Sequence, residues 1–125
     1  MKIKQLFLVL SFLVVSSIAL LYGISPTAFA RTFLDVPHVT VDLAHILRAV
    51  MALYLGFGLF WLFAAFNDKY RNPAILTTVV FAGGLVIGRI LSIVVDGRPS
   101  SILLFYTALE LALIPVALLV YRMRD

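Results

Sequence analysis

The chain has 125 residues, 63% of them hydrophobic and 13% charged, with a formal net charge of +4 and no cysteine. That balance excludes a water-soluble fold, and four helices of about 20 apolar residues, the length that crosses about 30 Å of hydrocarbon, leave no room for a nucleotide-binding or soluble catalytic domain. Without thiols there is no disulfide, thiolate nucleophile or thiolate-held metal, and basic residues clustered at helix ends suit membrane topology and not nucleic acid.

The first apolar stretch, 6–24, follows Lys2 and Lys4 and carries no charge. A basic start, an apolar run and Ala28-Phe29-Ala30 would also suit a signal peptide cut before Arg31, but a run of about 19 residues exceeds the roughly 7 to 15 of a signal peptide's apolar region. Ala19 and Gly23 add a small-residue face for close packing, so the stretch reads as a retained helix. Ser25 as cap, Pro26 in the first turn, and Phe29 and Phe33 on one face predict a short interfacial helix over 26–35, ended by Pro37.

The second spanning helix is predicted over 43–66, with Asp42 as its cap and a polar loop over 67–72 after it. Asn72-Pro73 opens the third, 73–95, because proline is tolerated at the first helical position. Asp96-Gly97-Arg98-Pro99-Ser100 makes a tight turn, and the fourth helix, 101–121, is kinked at Pro115. The expected fold is all-α, an integral-membrane four-helix antiparallel bundle forming a single transmembrane domain over 1–125. Lys2, Lys4, Lys69, Arg71, Arg122 and Arg124 fall on one side, against Arg31 and Arg98 on the other. By the positive-inside rule both termini face the cytoplasm, in a bacterial inner membrane.

Three charges remain inside apolar stretches: Arg48, Arg89 and Glu110. Each would cost roughly 2.5 to 3.5 kcal/mol or more at a helix centre, so such residues usually turn inward and find partners. Counted at about 1.5 Å per residue from the outer helix ends, they lie roughly 9, 10 and 13 Å deep, on three different helices. His45 shares a helix face with Arg48, Ser92 and Asp96 share one with Arg89, and Tyr106 shares one with Glu110. The expectation is one buried polar cluster opening to the outer side, in which Arg89 pairs with Glu110, Arg48 is close enough to join, and Asp96 guards the outer edge.

Taken structurally, these charges fix helix order. Taken functionally, two arginines against one deep glutamate leave an excess positive charge that an anionic head group could balance. The leading function is therefore a non-enzymatic module that binds an amphipathic, anionic-headed, lipid-like ligand, or a partner membrane protein, through Arg48, Arg89, Glu110, Asp96, His45, Ser92 and Tyr106. Alternatives are a small membrane enzyme using Glu110 or Asp96 as acid or base, a transporter subunit, and a host factor recognised at 26–42 and 96–100. Membrane lipids are expected partners, and Gly84xxxGly88 and Ala19xxxGly23 could serve a homo-oligomer. No cofactor is assigned. His38 and His45 are too few and too far apart for a metal site, and Gly56, Gly58, Gly83, Gly84 and Gly88 belong to helix packing and not to a nucleotide loop.

Leu47-Arg48-Ala49, Tyr54-Leu55-Gly56-Phe57-Gly58, Phe81-Ala82-Gly83-Gly84, Gly88-Arg89-Ile90-Leu91-Ser92, Asp96-Gly97-Arg98-Pro99-Ser100 and Glu110, in this order and spacing over about 23–121, resemble the small bacterial membrane proteins catalogued as domain of unknown function 4345. The resemblance implies a four-helix bacterial inner-membrane protein with no assigned reaction or ligand.

Overall fold

The computed structural model describes residues 2–124, which form five helices and no strand. These are α1 (Ile3–Gly23), α2 (Pro26–Phe33), α3 (Val41–Ala65), α4 (Asp68–Asp96) and α5 (Ser101–Arg122). All but α2 are long and apolar enough to cross a membrane.

The helix starts follow from side-chain caps. Ser25 accepts a hydrogen bond from the Ala28 amide, with Pro26 in the first turn of α2, as its sequence predicts. α2 ends at Phe33, ahead of Pro37, where Asp35 takes a left-handed φ of 57°. For α3 the cap is Thr40, whose hydroxyl accepts from the Leu43 amide at 3.1 Å; Asp42 lies in the first turn. α4 starts earlier than its Asn72-Pro73 signature suggests. Asn67 accepts from the Lys69 amide at 3.2 Å, so most of the predicted 67–72 loop is helical and Pro73 sits inside α4.

α1 packs along the length of α3 and runs antiparallel to it. The approach is close because a Cβ on Gly23 would run into the Met51 side chain, and one on Gly58 would press on Ser16 and Val15 at 2.9 and 3.0 Å. α4 packs on α5, and α3 joins the two pairs through aromatic contacts of Tyr54, Phe57 and Trp61 with Phe81. Trp61 also donates to the Thr77 hydroxyl at 2.9 Å. α1 and α5 touch only sparsely.

At the α3–α4 turn, two basic residues read from sequence as topology signals are also built into the packing. Lys4 is buried and its ammonium donates to Asn72 Oδ1 at 2.7 Å. Arg71, also buried, donates to the Ala65 carbonyl at 3.1 Å and meets Asp68 at 2.8 Å. The glycines divide as well. Gly23 and Gly58 are packed, while Gly56, Gly83, Gly84 and Gly88 have open space where a Cβ would stand, so among the described residues no other helix packs closely on Gly84xxxGly88.

Candidate ligand site

Arg89 on α4 and Glu110 on α5 meet across the helix pair. The Arg89 Nε donates to both carboxylate oxygens, at 3.1 and 2.8 Å, with the two side chains 18% and 14% exposed. Glu110 engages only Nε, which leaves both terminal amino groups of Arg89 clear of the carboxylate. The guanidinium carbon also stands 5.9 Å from the ring centroid of Tyr106, four residues before Glu110 on the same face of α5.

Three tyrosines from three helices surround the pair. Tyr22 of α1 meets Tyr54 of α3 and Tyr106 of α5 edge-on, with ring centroids 5.8 and 6.0 Å away. Tyr22 also meets Phe29 of α2 edge-on at 4.8 Å, and Phe29 is buried, so α2 covers the cluster at its own end. The Tyr106 hydroxyl is buried and has no hydrogen-bond partner among the described residues. A buried hydroxyl without a partner forfeits about 1 to 3 kcal/mol, so a native structure that keeps one calls for an acceptor or donor from elsewhere.

That tyrosine lines a cleft of about 310 Å3. Its back wall is Tyr54, Trp61, Phe81 and Leu85, and Glu110 lines it one helical turn from Tyr106. The rims are Leu10 and Val14 of α1 and Leu109, Ala112 and Val116 of α5, all exposed, so the cleft opens on the flank that lipid would touch. The sequence pointed to a cluster opening at the outer side; the end is closed by α2, and the opening is lateral.

The seven candidate residues are not all brought together. Arg89, Glu110 and Tyr106 form the site. Arg48 and His45 are exposed on a separate shallow groove of α3 with Val41, Ala44 and Ala49, and Arg48 has no ion pair or hydrogen bond among the described residues. The reason is helical phase. Leu47, Tyr54, Gly58 and Trp61 form the buried stripe of α3, and Arg48 is turned about 100° from Leu47. Ser92 and Asp96 are exposed near the C-terminal end of α4, where the Ser92 hydroxyl donates to Asp96 Oδ2 at 3.2 Å, and neither guards the pair. With Arg48 apart, the excess positive charge expected of the cluster is absent, and one arginine faces one glutamate. Tyr22 and Tyr54 are the participants that sequence reasoning passed over. Their signal was a tyrosine within the apolar run of α1 and of α3, as Tyr106 is within that of α5.

Among the described residues no three His, Asp or Glu side chains gather as a metal-binding set. The chemistry on offer is hydrogen bonding to a polar head, charge balance within the pair, and an apolar trough.

The model of the family described as Domain of unknown function (DUF4345) matches residues 3–121, nearly the whole chain, which therefore belongs to that family. Neither a curated protein nor a solved structure matches it.

Proposed function

We propose that this member of the DUF4345 family is a non-enzymatic membrane module that holds a lipid-like molecule in the α1–α5 cleft, with the polar head against Tyr106 and Glu110, the latter held by Arg89. The observation that carries the reading is the Tyr106 hydroxyl, 4% exposed as a residue and without a partner among the described residues, at the polar end of an otherwise apolar trough. Ligand sites have that composition, mostly apolar walls with a few convergent polar groups. A purely structural ion pair would explain Arg89 and Glu110 but neither the cleft nor the orphaned hydroxyl.

Native mass spectrometry of the protein released from mild detergent tests the reading. The wild type retains a hydrophobic small molecule, and Ala112→Phe, which fills the cleft from its rim, loses it while keeping its helical circular dichroism. A wild type that carries nothing across several lipid backgrounds, or a filled variant that carries as much, overturns it.

Glu110 lines the cleft, so acid–base catalysis on a bound lipid is the second reading. Glu110→Gln separates the two: a binder keeps most of its ligand, whereas an enzyme loses turnover with little change in binding. The proposed setting is a bacterial inner membrane with both termini in the cytoplasm, supported by the Lys and Arg bias between the helix ends. A C-terminal alkaline phosphatase fusion that is active, where a fluorescent protein fusion is dark, reverses that orientation.

A further inference from the structure

The cleft constrains the chemistry of what it holds. We infer that the ligand is a single-chain lipid with an uncharged, hydrogen-bond-accepting head, such as a carbonyl or ester, that enters sideways from the bilayer and points its tail toward Trp61. This deepens the proposed function and rests on it.

The head follows from charge and donors. Arg89 and Glu110 already neutralise each other at 2.8 Å, so a full negative charge would have to sit beside the Glu110 carboxylate in a low-dielectric site. What the site lacks is an acceptor. The buried Tyr106 hydroxyl, which lines the cleft, has none among the described residues, whereas Arg89 does not line the cleft and its guanidinium also faces Tyr22 and Tyr54. A neutral carbonyl oxygen accepts from that hydroxyl and adds no charge.

The tail follows from shape. A volume of about 310 Å3 is at the small end of the roughly 300 to 1,000 Å3 of ligand pockets, room for one chain and not two. From Tyr106 to Val116 the trough follows α5 for about 15 Å, counted at about 1.5 Å per residue. It leads away from α2, which covers the polar end, and Trp61 lies about two turns beyond Tyr54 along the back wall. Because the exposed rims are apolar side chains of α1 and α5, the route in is from the hydrocarbon.

Trp61 is the only tryptophan in the chain, so its fluorescence reports on the far end of the cleft. The protein in nanodiscs of saturated phosphatidylcholine is titrated with chains matched in length to the cleft and carrying a terminal bromine, a short-range quencher. The heads are a methyl ester, a sulfonate, or none. The ester quenches Trp61 saturably, the other two bind more weakly, and Tyr106→Phe weakens the ester roughly 2- to 10-fold, the worth of one hydrogen bond. A sulfonate that binds more tightly than the ester, or a headless chain that binds as well, overturns the uncharged accepting head while leaving the cleft as a lipid site. Equal quenching by a two-chain brominated phosphatidylcholine overturns the single chain, and stronger quenching by a bromine placed beside the head overturns the tail direction. No saturable quenching by any probe overturns this inference and the proposed function together.

Discussion

Arg89 reaches Glu110 through Nε alone, with both carboxylate oxygens within 3.1 Å of that one nitrogen. The pair is half a fork. It neutralises two charges that hydrocarbon would penalise, and the carboxylate makes no use of the terminal amino groups, on a guanidinium that also faces Tyr22 and Tyr54.

Removing one partner strands the other. Arg89→Leu is expected to cost about 3 to 5 kcal/mol, because Glu110 remains buried and uncompensated. Adding Glu110→Leu recovers part of that loss, since both charges leave together, and the coupling exceeds roughly 0.5 kcal/mol. Thermal unfolding of the four proteins in one detergent measures the cycle. Strictly additive losses would mean that the pair contributes nothing as a pair.

Arg48 gives the opposite expectation. It is exposed on α3 and paired with nothing among the described residues, so Arg48→Leu removes a charge from a lipid-facing surface without orphaning a partner. Stability is unchanged or higher, and a cycle of Arg48→Leu with Glu110→Leu shows coupling below roughly 0.5 kcal/mol. Coupling as large as that of Arg89 would place Arg48 back in the cluster.

The contrast between the two arginines shows what the sequence could and could not reveal. Depth along a helix is countable from its ends, and that count put Arg89 and Glu110 at one level. Azimuth is harder. It takes the buried stripe of α3, through Leu47, Tyr54 and Trp61, to see that Arg48 faces away, and an apolar helix surrounded by lipid hides that stripe because its outer face is apolar too. The start of α4 was obscured by two cap signatures five residues apart, Asn67 and Asn72-Pro73, of which the first is used. The cleft had no sequence signal at all, because it arises from the sparse contact between α1 and α5.

The glycines should separate by environment. In Gly23→Ala the new methyl meets Met51 near its backbone, where it cannot swing aside, and such overpacking costs about 1 to 3 kcal/mol. Gly84→Ala enters open space and stabilises α4 by about 0.5 to 1 kcal/mol through the smaller loss of backbone freedom. Unfolding temperatures in detergent compare them. If Gly84→Ala lowered stability or dissociated an oligomer, the open Gly84xxxGly88 face would be an interface between copies.

The α3–α4 turn distinguishes a buried hydrogen bond from a surface ion pair on the same side chain. Arg71 donates to the Ala65 carbonyl, one of the last carbonyls of α3, which have no helical partner of their own. Arg71→Met leaves that buried carbonyl unsatisfied and is expected to cost about 1 to 3 kcal/mol. Asp68 also touches Arg71, at 2.8 Å, but its side chain is 91% exposed and solvent screens most of the attraction. Asp68→Asn therefore costs about 1 kcal/mol or less, most of it from the lost negative charge in the first turn of α4. The two variants are compared by thermal unfolding at low and high salt. Salt narrows the loss for Asp68→Asn and leaves the loss for Arg71→Met in place, because the carbonyl contact is buried. Equal losses that both shrink with salt would assign the stabilisation to the ion pair, and the Ala65 carbonyl would then have to find another donor when Arg71 is gone.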